Sequence, residues 1–353
     1  MPYSTPPTSP EDVETAIRSL SVPPFAISAN ALSVSYNGPD ADLDLSWDGQ
    51  KQRFVVEYKS AGTPKQIADA INQVRGFAAA SPGAAPMIVA PFLNASEIDR
   101  LVAQGISAVD LSGNFGIVVP RRWLVVRTGN KNQYPSSAPI KNVYRGVSSL
   151  VARALMLRGT FASPTAIQRD VSSVSPIALS TISKVLKSLE NELIIDRSRE
   201  IRVVRPELLL ARLSANYAAP SVRKRVLAKV GVGEKAFELM SANAAEFNLL
   251  FAADGAPFET VLPSSNTAQR LYASSIEKLM RNIPMDESSR FPDIDLIETT
   301  DSTVYYGARK LLGVPRTSLL QTYLELQAGG KRERQAADSI REDILTTRAG
   351  TAA

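Results

Sequence analysis

The chain has 353 residues, 44% of them hydrophobic and 21% charged, with a formal net charge of +5. That length suits two or three domains of ordinary globular composition. It contains neither Cys nor His, which excludes disulfides, thiolate nucleophiles, Ser-His and Cys-His catalysis, and any Cys- or His-ligated metal site. Hydrolytic chemistry is left to carboxylates, Lys, Tyr or a metal held by oxygen.

Met1 to Pro10 is rich in Pro, Ser and Thr and has no basic residue or apolar stretch. It reads as a disordered lead and not as a signal peptide. No apolar run approaches the roughly 18 residues of a membrane span, so a cytoplasmic protein is expected.

Residues 11–130 read as a mixed α/β domain. Asp42 to Trp47 alternates polar and apolar residues, Asp48-Gly49 marks a hairpin turn, and Arg53 to Lys59 supplies the second strand. Ile67, Ala70, Ile71 and Val74 then recur at helical spacing. An apolar strand follows at Pro86 to Pro91, a helix around Ser96 to Gln104, and strands at Ser107 to Leu111, Gly116 to Val119 and Trp123 to Arg127. This order predicts one mixed sheet flanked by helices.

Strand periodicity puts Glu57 and Lys59 on one face, and Asp42 and Asp44 on one face of the preceding strand. If the strands pair across Gly49, an Asp and Glu57 converge with Lys59 beside them. Asp42, Asp44 and Glu57 are then candidate ligands for Mg²⁺, which keeps several waters and needs few protein oxygens. Lys59 would orient the attacking water or offset charge on a phosphate. An acid, a hairpin, Glu-x-Lys and a helix bearing Gln73 together resemble the PD-(D/E)XK nuclease core. The resemblance implies a restriction-endonuclease-like sheet, a Mg²⁺-dependent deoxyribonuclease site, and Gln73 near the scissile phosphate. Asp40, Asp42 and Asp44 compete for the first acid, with Asp42 or Asp44 favoured because they lie inside the strand. The structural alternative is a Glu/Lys pair exposed on an edge strand.

Residues 131–141 are polar with two prolines and read as a linker. Between Lys141 and Arg205 there are 11 Lys/Arg and 5 Asp/Glu, whereas the rest of the chain carries 29 and 30. The basic excess is therefore confined to one segment, as expected where a protein meets phosphates. Within residues 142–213, Val147, Leu150, Val151, Ala154 and Leu155 mark a first helix that Gly159 can cap. Ser163-Pro164 starts a second, and Ile182, Val185, Leu186 and Leu189 form the buried stripe of a third. Ser180, Lys184 and Lys187 share its opposite face, with Thr181 and Ser188 beside them. Leu193 to Val204 reads as two short strands around a charged turn that carries Arg197, Arg199 and Arg202. These features predict a winged helix-turn-helix that binds double-stranded DNA, with Ser180, Thr181, Lys184 and Lys187 reading and the three arginines on the wing.

A weaker break falls near 214–221. Residues 222–345 read as a C-terminal α/β domain of unassigned role, with Asp293 and Asp295 as solvent-facing strand residues and 346–353 as a frayed tail. The expected fold class is thus α/β and α+β multidomain. The stretches VVEYK, AVDLSGN, TISKVLKSLENELI and SLLQTYLEL together resemble the AbiEi-like antitoxin and transcriptional-regulator family of type IV toxin–antitoxin systems. That resemblance implies a DNA-binding bacterial regulator, possible homodimerisation, and a nucleotidyltransferase-like toxin encoded nearby as partner. Here a nuclease-like domain precedes the winged helix, unlike the shorter antitoxins, which begin with it.

Overall fold

The computed structural model describes residues 5–29, 38–134, 142–230, 238, 240–252, 268–311 and 314–346. It is a mixed α/β chain of two compact units, Met1–Pro139 and Ile140–Ala353. Among the described residues no helix is long and apolar enough to cross a membrane.

The first unit runs α1 (Pro10–Arg18), β1 (Ala26–Ala29), β2 (Ala41–Trp47), β3 (Gln50–Tyr58), α2 (Pro64–Ala80), β4 (Ala84–Ala90), α3 (Ala95–Ala103), β5 (Ser107–Asp110), β6 (Phe115–Val119) and β7 (Trp123–Arg127). Its seven strands lie in sequence order, with β3, β4 and β5 parallel and every other pair antiparallel. The β2–β3 hairpin turns at Asp48 and Gly49, whose φ values of 51° and 71° are those of a primed two-residue turn. Alternation along β3 divides the core between the two faces of the sheet. Phe54 and Val56 pack with Ile17 of α1, while Val55 packs with Ile67 and Val74 of α2 and Ile98 and Leu101 of α3.

Two elements here were not expected, α1 and β1. The lead is also ordered at its end: Ser9 caps α1 by accepting from Asp12 N at 3.1 Å, and the Pro7 carbonyl accepts from the Tyr58 hydroxyl at 2.9 Å. Most of the 131–141 linker and the tail from Thr347 lie outside the described residues.

The second unit begins with α4 (Ser149–Arg158), β8 (Thr160–Phe161), α5 (Pro164–Val171), α6 (Leu179–Asn191), β9 (Ile195–Asp196), β10 (Ile201–Val203) and α7 (Pro206–Ala215). Gly159 ends α4 at φ 81°, and Ser163 caps α5 through Ala166 N. The three short strands form an antiparallel sheet in the order β8-β10-β9. There follow β11 (Lys224–Lys229), α8 (Ala244–Phe247), β12 (Leu250–Phe251), β13 (Gln269–Ala273), α9 (Ile276–Asn282), β14 (Asp286–Glu287), β15 (Ile294–Glu298), β16 (Arg309–Leu311) and β17 (Val314–Arg316). These strands make a mixed sheet ordered β14-β11-β15-β13-β12-β17-β16. Helices α10 (Leu319–Gln327) and α11 (Lys331–Thr346) close the chain.

The break near 214–221 does not separate two compact units. Leu320, Tyr323 and Leu324 of α10 and Ala337, Ile340 and Ile344 of α11 are buried in the same core as Leu150, Ile182, Leu186 and Leu209. A buried polar chain reinforces the join. Arg153 of α4 donates to Ser149 Oγ at 3.3 Å and to Gln321 Oε1 at 2.7 Å, and Gln321 Nε2 donates to Glu325 Oε1 at 2.7 Å. Burial pulls the Arg153 guanidinium below its ordinary value. Of the two aspartates read as solvent-facing, Asp293 is exposed, just before β15, whereas Asp295 is not. Asp295 is 5% exposed and accepts both arms of Arg225 at 2.7 and 2.9 Å, while Asp293 accepts from Val230 N at 3.1 Å.

Candidate functional site

Two places hold the residues singled out by sequence. The first is the carboxyl end of β3, an interior strand of its sheet, so Glu57 is not on an edge. The β2–β3 register pairs Asp42 with Val55 and Asp44 with Arg53. Continued one step beyond Ala41↔Val56, that register sets Asp40 opposite Glu57. Asp40 Oδ2 accepts from Tyr58 N at 2.7 Å, which holds its carboxylate at this end of the strand. Asp42 and Asp44 sit farther along the hairpin in ion pairs with Arg53 at 2.9 Å and Lys51 at 2.8 Å. The structure therefore gathers Asp40, not Asp42 or Asp44, to Glu57.

Lys59 Nζ donates to Glu57 Oε1 at 2.7 Å and to Gln73 Oε1 of α2 at 2.6 Å. Glu57 and Lys59 are thus brought together as strand periodicity predicted, and Gln73 joins them as the nuclease resemblance implied. Glu57 is 5% exposed, and burial raises its pKa above the ordinary carboxylate value. The Lys59 hydrogen bond opposes that rise, and the charge of Asp40 adds to it. A cleft of about 500 Å³ opens beside the group, lined among others by Glu14, Asp40, Tyr58, Lys59 and Asp69. Burial lifts the Tyr58 phenol to about 12.

Among the described residues no group of three or more acidic side chains converges on a metal position. Two carboxylates are enough for a Mg²⁺ ion that retains several waters. Among the described residues Asp40 and Glu57 each use one oxygen on the protein, which leaves a second oxygen on each for such an ion, so the donor set fits. Sequence reading did not single out Glu14 or Asp69; Asp69 lies one turn before Gln73 on α2, a spacing that could have flagged it.

The AVDLSGN stretch forms a rigid turn at the carboxyl end of β5. Buried Asp110 accepts from Leu93 N at 3.0 Å, Ser112 N at 2.9 Å, Asn114 N at 2.7 Å and Asn114 Nδ2 at 2.8 Å. Asn130 N donates back to Asn114 Oδ1 at 2.8 Å. Gly113, at φ 90°, gives Asn130 room: a Cβ there would lie 3.0 Å from Asn130 Nδ2. The motif is structural, joining β4, β5 and the chain after β7.

The second place is α6 with the β9–β10 hairpin. Ile182, Val185, Leu186 and Leu189 are fully buried, as the periodicity predicts. Ser180, Lys184 and Lys187 are exposed, whereas Thr181 is half-buried, and Ser183, which the sequence reading passed over, is exposed. On the hairpin, Arg202 pairs with Asp196 at 2.9 Å and Arg197 with Glu190 at 3.7 Å. Arg199 is exposed and has no ion pair among the described residues. The Asp196 carboxyl is held at about 2, first by the Ser198 backbone N–H, then by Arg202 and the Ser198 hydroxyl.

No family model, curated protein or solved structure matches the chain.

Proposed function

We propose that the chain is a sequence-specific DNA-binding regulator that docks its second unit on duplex DNA. The observation that carries this reading is the succession α4-β8-α5-α6-β9-β10, in which three helices pack on a β8-β10-β9 sheet and α6 leaves a polar, lysine-bearing face uncovered. This is the order and form of a winged helix-turn-helix, with α6 as the recognition helix and the β9–β10 turn as the wing. Ser180, Ser183 and Lys184 are the base-edge candidates. Lys187 and Arg199 are the phosphate-facing side chains, while Arg197 and Arg202 must first exchange an acidic neighbour for a phosphate. The antitoxin-type role, with a nucleotidyltransferase-like toxin encoded nearby and a homodimer on DNA, extends this reading through the AbiEi-like resemblance.

The experiment is a gel shift across a salt series on the chain's own upstream DNA. Replacing Lys184 and Lys187 with Ala is expected to weaken binding and to flatten the log–log salt slope by roughly 1 to 2, about 0.9 for each phosphate that is no longer neutralised. An unchanged slope removes the assignment of α6.

The cluster at the end of β3 favours a second reading, that of a Mg²⁺-dependent deoxyribonuclease delivered by the second unit. Asp40 and Glu57 would hold the ion, whose chemistry is Lewis-acid polarisation of a phosphodiester oxygen. Lys59, fixed between Glu57 and Gln73, is placed to orient a water or to donate to a phosphate oxygen. Incubation of duplex, single-stranded and branched DNA with Mg²⁺ or Mn²⁺ separates the readings. Intact DNA in every case leaves the binding reading alone.

A further inference from the structure

We infer that Leu179 reads a thymine methyl group in the major groove, so that an apolar contact sets the base preference of α6. The inference rests on the DNA-binding reading above and adds to it the kind of base edge selected. Recognition helices contact bases through their first turns. In the first two turns of α6 the exposed side chains are Leu179, Ser180, Ser183 and Lys184. None is Arg, Asn or Gln, the side chains that grip guanine or adenine with paired hydrogen bonds. Serine hydroxyls accept or donate to any base edge, and Lys184 serves guanine or phosphate alike. The remaining side chain, Leu179, can discriminate only by apolar contact.

Its exposure is what the packing does not explain. Leu179 lies on the stripe of Ile182 and Leu186, three and seven residues on, and both of those are 0% exposed. Leu179 is 43% exposed because it projects beyond the end of the core, beside the exposed Ala178. Among the described residues it is the one large apolar side chain that α6 leaves in water. On the major-groove edges of the four bases the apolar group is the thymine C5-methyl. A leucine at the entry of a recognition helix, flanked by small hydroxyls that let the helix approach closely, is complementary to it.

The test uses the full chain and a random-sequence duplex library. Selected duplexes are remade with each thymine replaced in turn by uracil, which removes the major-groove C5-methyl and leaves the pairing edge unchanged. At one position, or at it and its symmetry mate, uracil is expected to weaken wild-type binding roughly fourfold, the worth of one buried methyl or methylene. Leu179→Ala should bind the thymine and uracil forms alike, and Leu179→Met, which keeps the apolar reach, should still tell them apart. If every uracil substitution is neutral for the wild type, or if Leu179→Ala keeps the discrimination, the inference is overturned while DNA binding stands. A library from which no duplex is retained even at low salt overturns the DNA-binding reading and this inference with it.

Discussion

Replacing Asp110 with Ala strands three buried backbone donors and one side-chain amide at once. Leu93 N, Ser112 N and Asn114 N all hydrogen-bond to this carboxylate at 3.0 Å or less, and Asn114 Nδ2 adds a fourth bond at 2.8 Å. Each buried donor left unsatisfied costs about 1–3 kcal/mol. Water entering the vacated volume recovers part of that, so the loss is on the order of 3–6 kcal/mol, a large fraction of the stability of a domain. Trp47 and Trp123, the two tryptophans of the chain, both lie in the first unit, so tryptophan fluorescence in a urea titration reports on it alone. With a slope of about 2 kcal/mol per molar urea, the midpoint should fall by roughly 1.5–3 M. Asp110→Asn keeps an oxygen for Ser112 and Asn114 N–H groups but turns an NH₂ toward Leu93 N and Asn114 Nδ2, so it should fall about halfway between. A loss below about 1 kcal/mol for the Ala variant, small beside a single stranded donor, would refute the view that this carboxylate organises the turn.

Three other outcomes are expected. Gln321→Leu removes the shorter of the two neutral hydrogen bonds of buried Arg153 and should destabilise the second unit by roughly 3 kcal/mol; far-UV circular dichroism should show it while the tryptophan signal of the first unit stays put. If the chain cleaves DNA, Asp40→Ala should abolish cleavage as fully as Glu57→Ala while binding survives, and Asp42→Ala should leave most of it, because Asp42 is paired with Arg53. The wing should loosen in acid: the Asp196 carboxyl lies at about 2, below its ordinary 3.8. Its contribution is therefore present above the unfolded value and lost as pH falls from near 4 toward 2. Hydrogen exchange at the Ser198 amide measures this, and protection unchanged across that window would count against it.

Local pattern made much of this legible. The 3.6-residue stripe of α6, the Ser163-Pro164 start of α5 and the Asp48-Gly49 turn each specify their element through short-range chemistry. The acid opposite Glu57 was within reach of the same reasoning. A two-residue hairpin turning at 48–49 pairs residues whose numbers sum to 97, as Trp47↔Gln50 does, and that rule puts 40 opposite 57. Preferring acids inside the strand obscured it, because the residue that faces Glu57 precedes β2. The two-residue β8 is too short for any local pattern to mark. Asp295 read as solvent-facing because an alternating strand does not reveal that Arg225, 70 positions earlier, is its neighbour. The joining of α10 and α11 to the core of α4, α6 and α7 is likewise a long-range choice among apolar faces that no local window contains.

That joining has a consequence in time. During synthesis the first unit can close its core once residues up to about 130 have emerged, because everything it packs against comes before. The helices around Leu150, Ile182 and Leu209 must wait for Leu320 and then Ile344, about 130 residues after α7 is made. At roughly 5–20 residues per second the wait is on the order of ten seconds. Throughout that interval the parts of α4 and α7 that α10 covers have no final partner, and the nascent chain leaves them exposed. A message truncated between α7 and α10 would then release an intact first unit attached to helices whose core has never been completed.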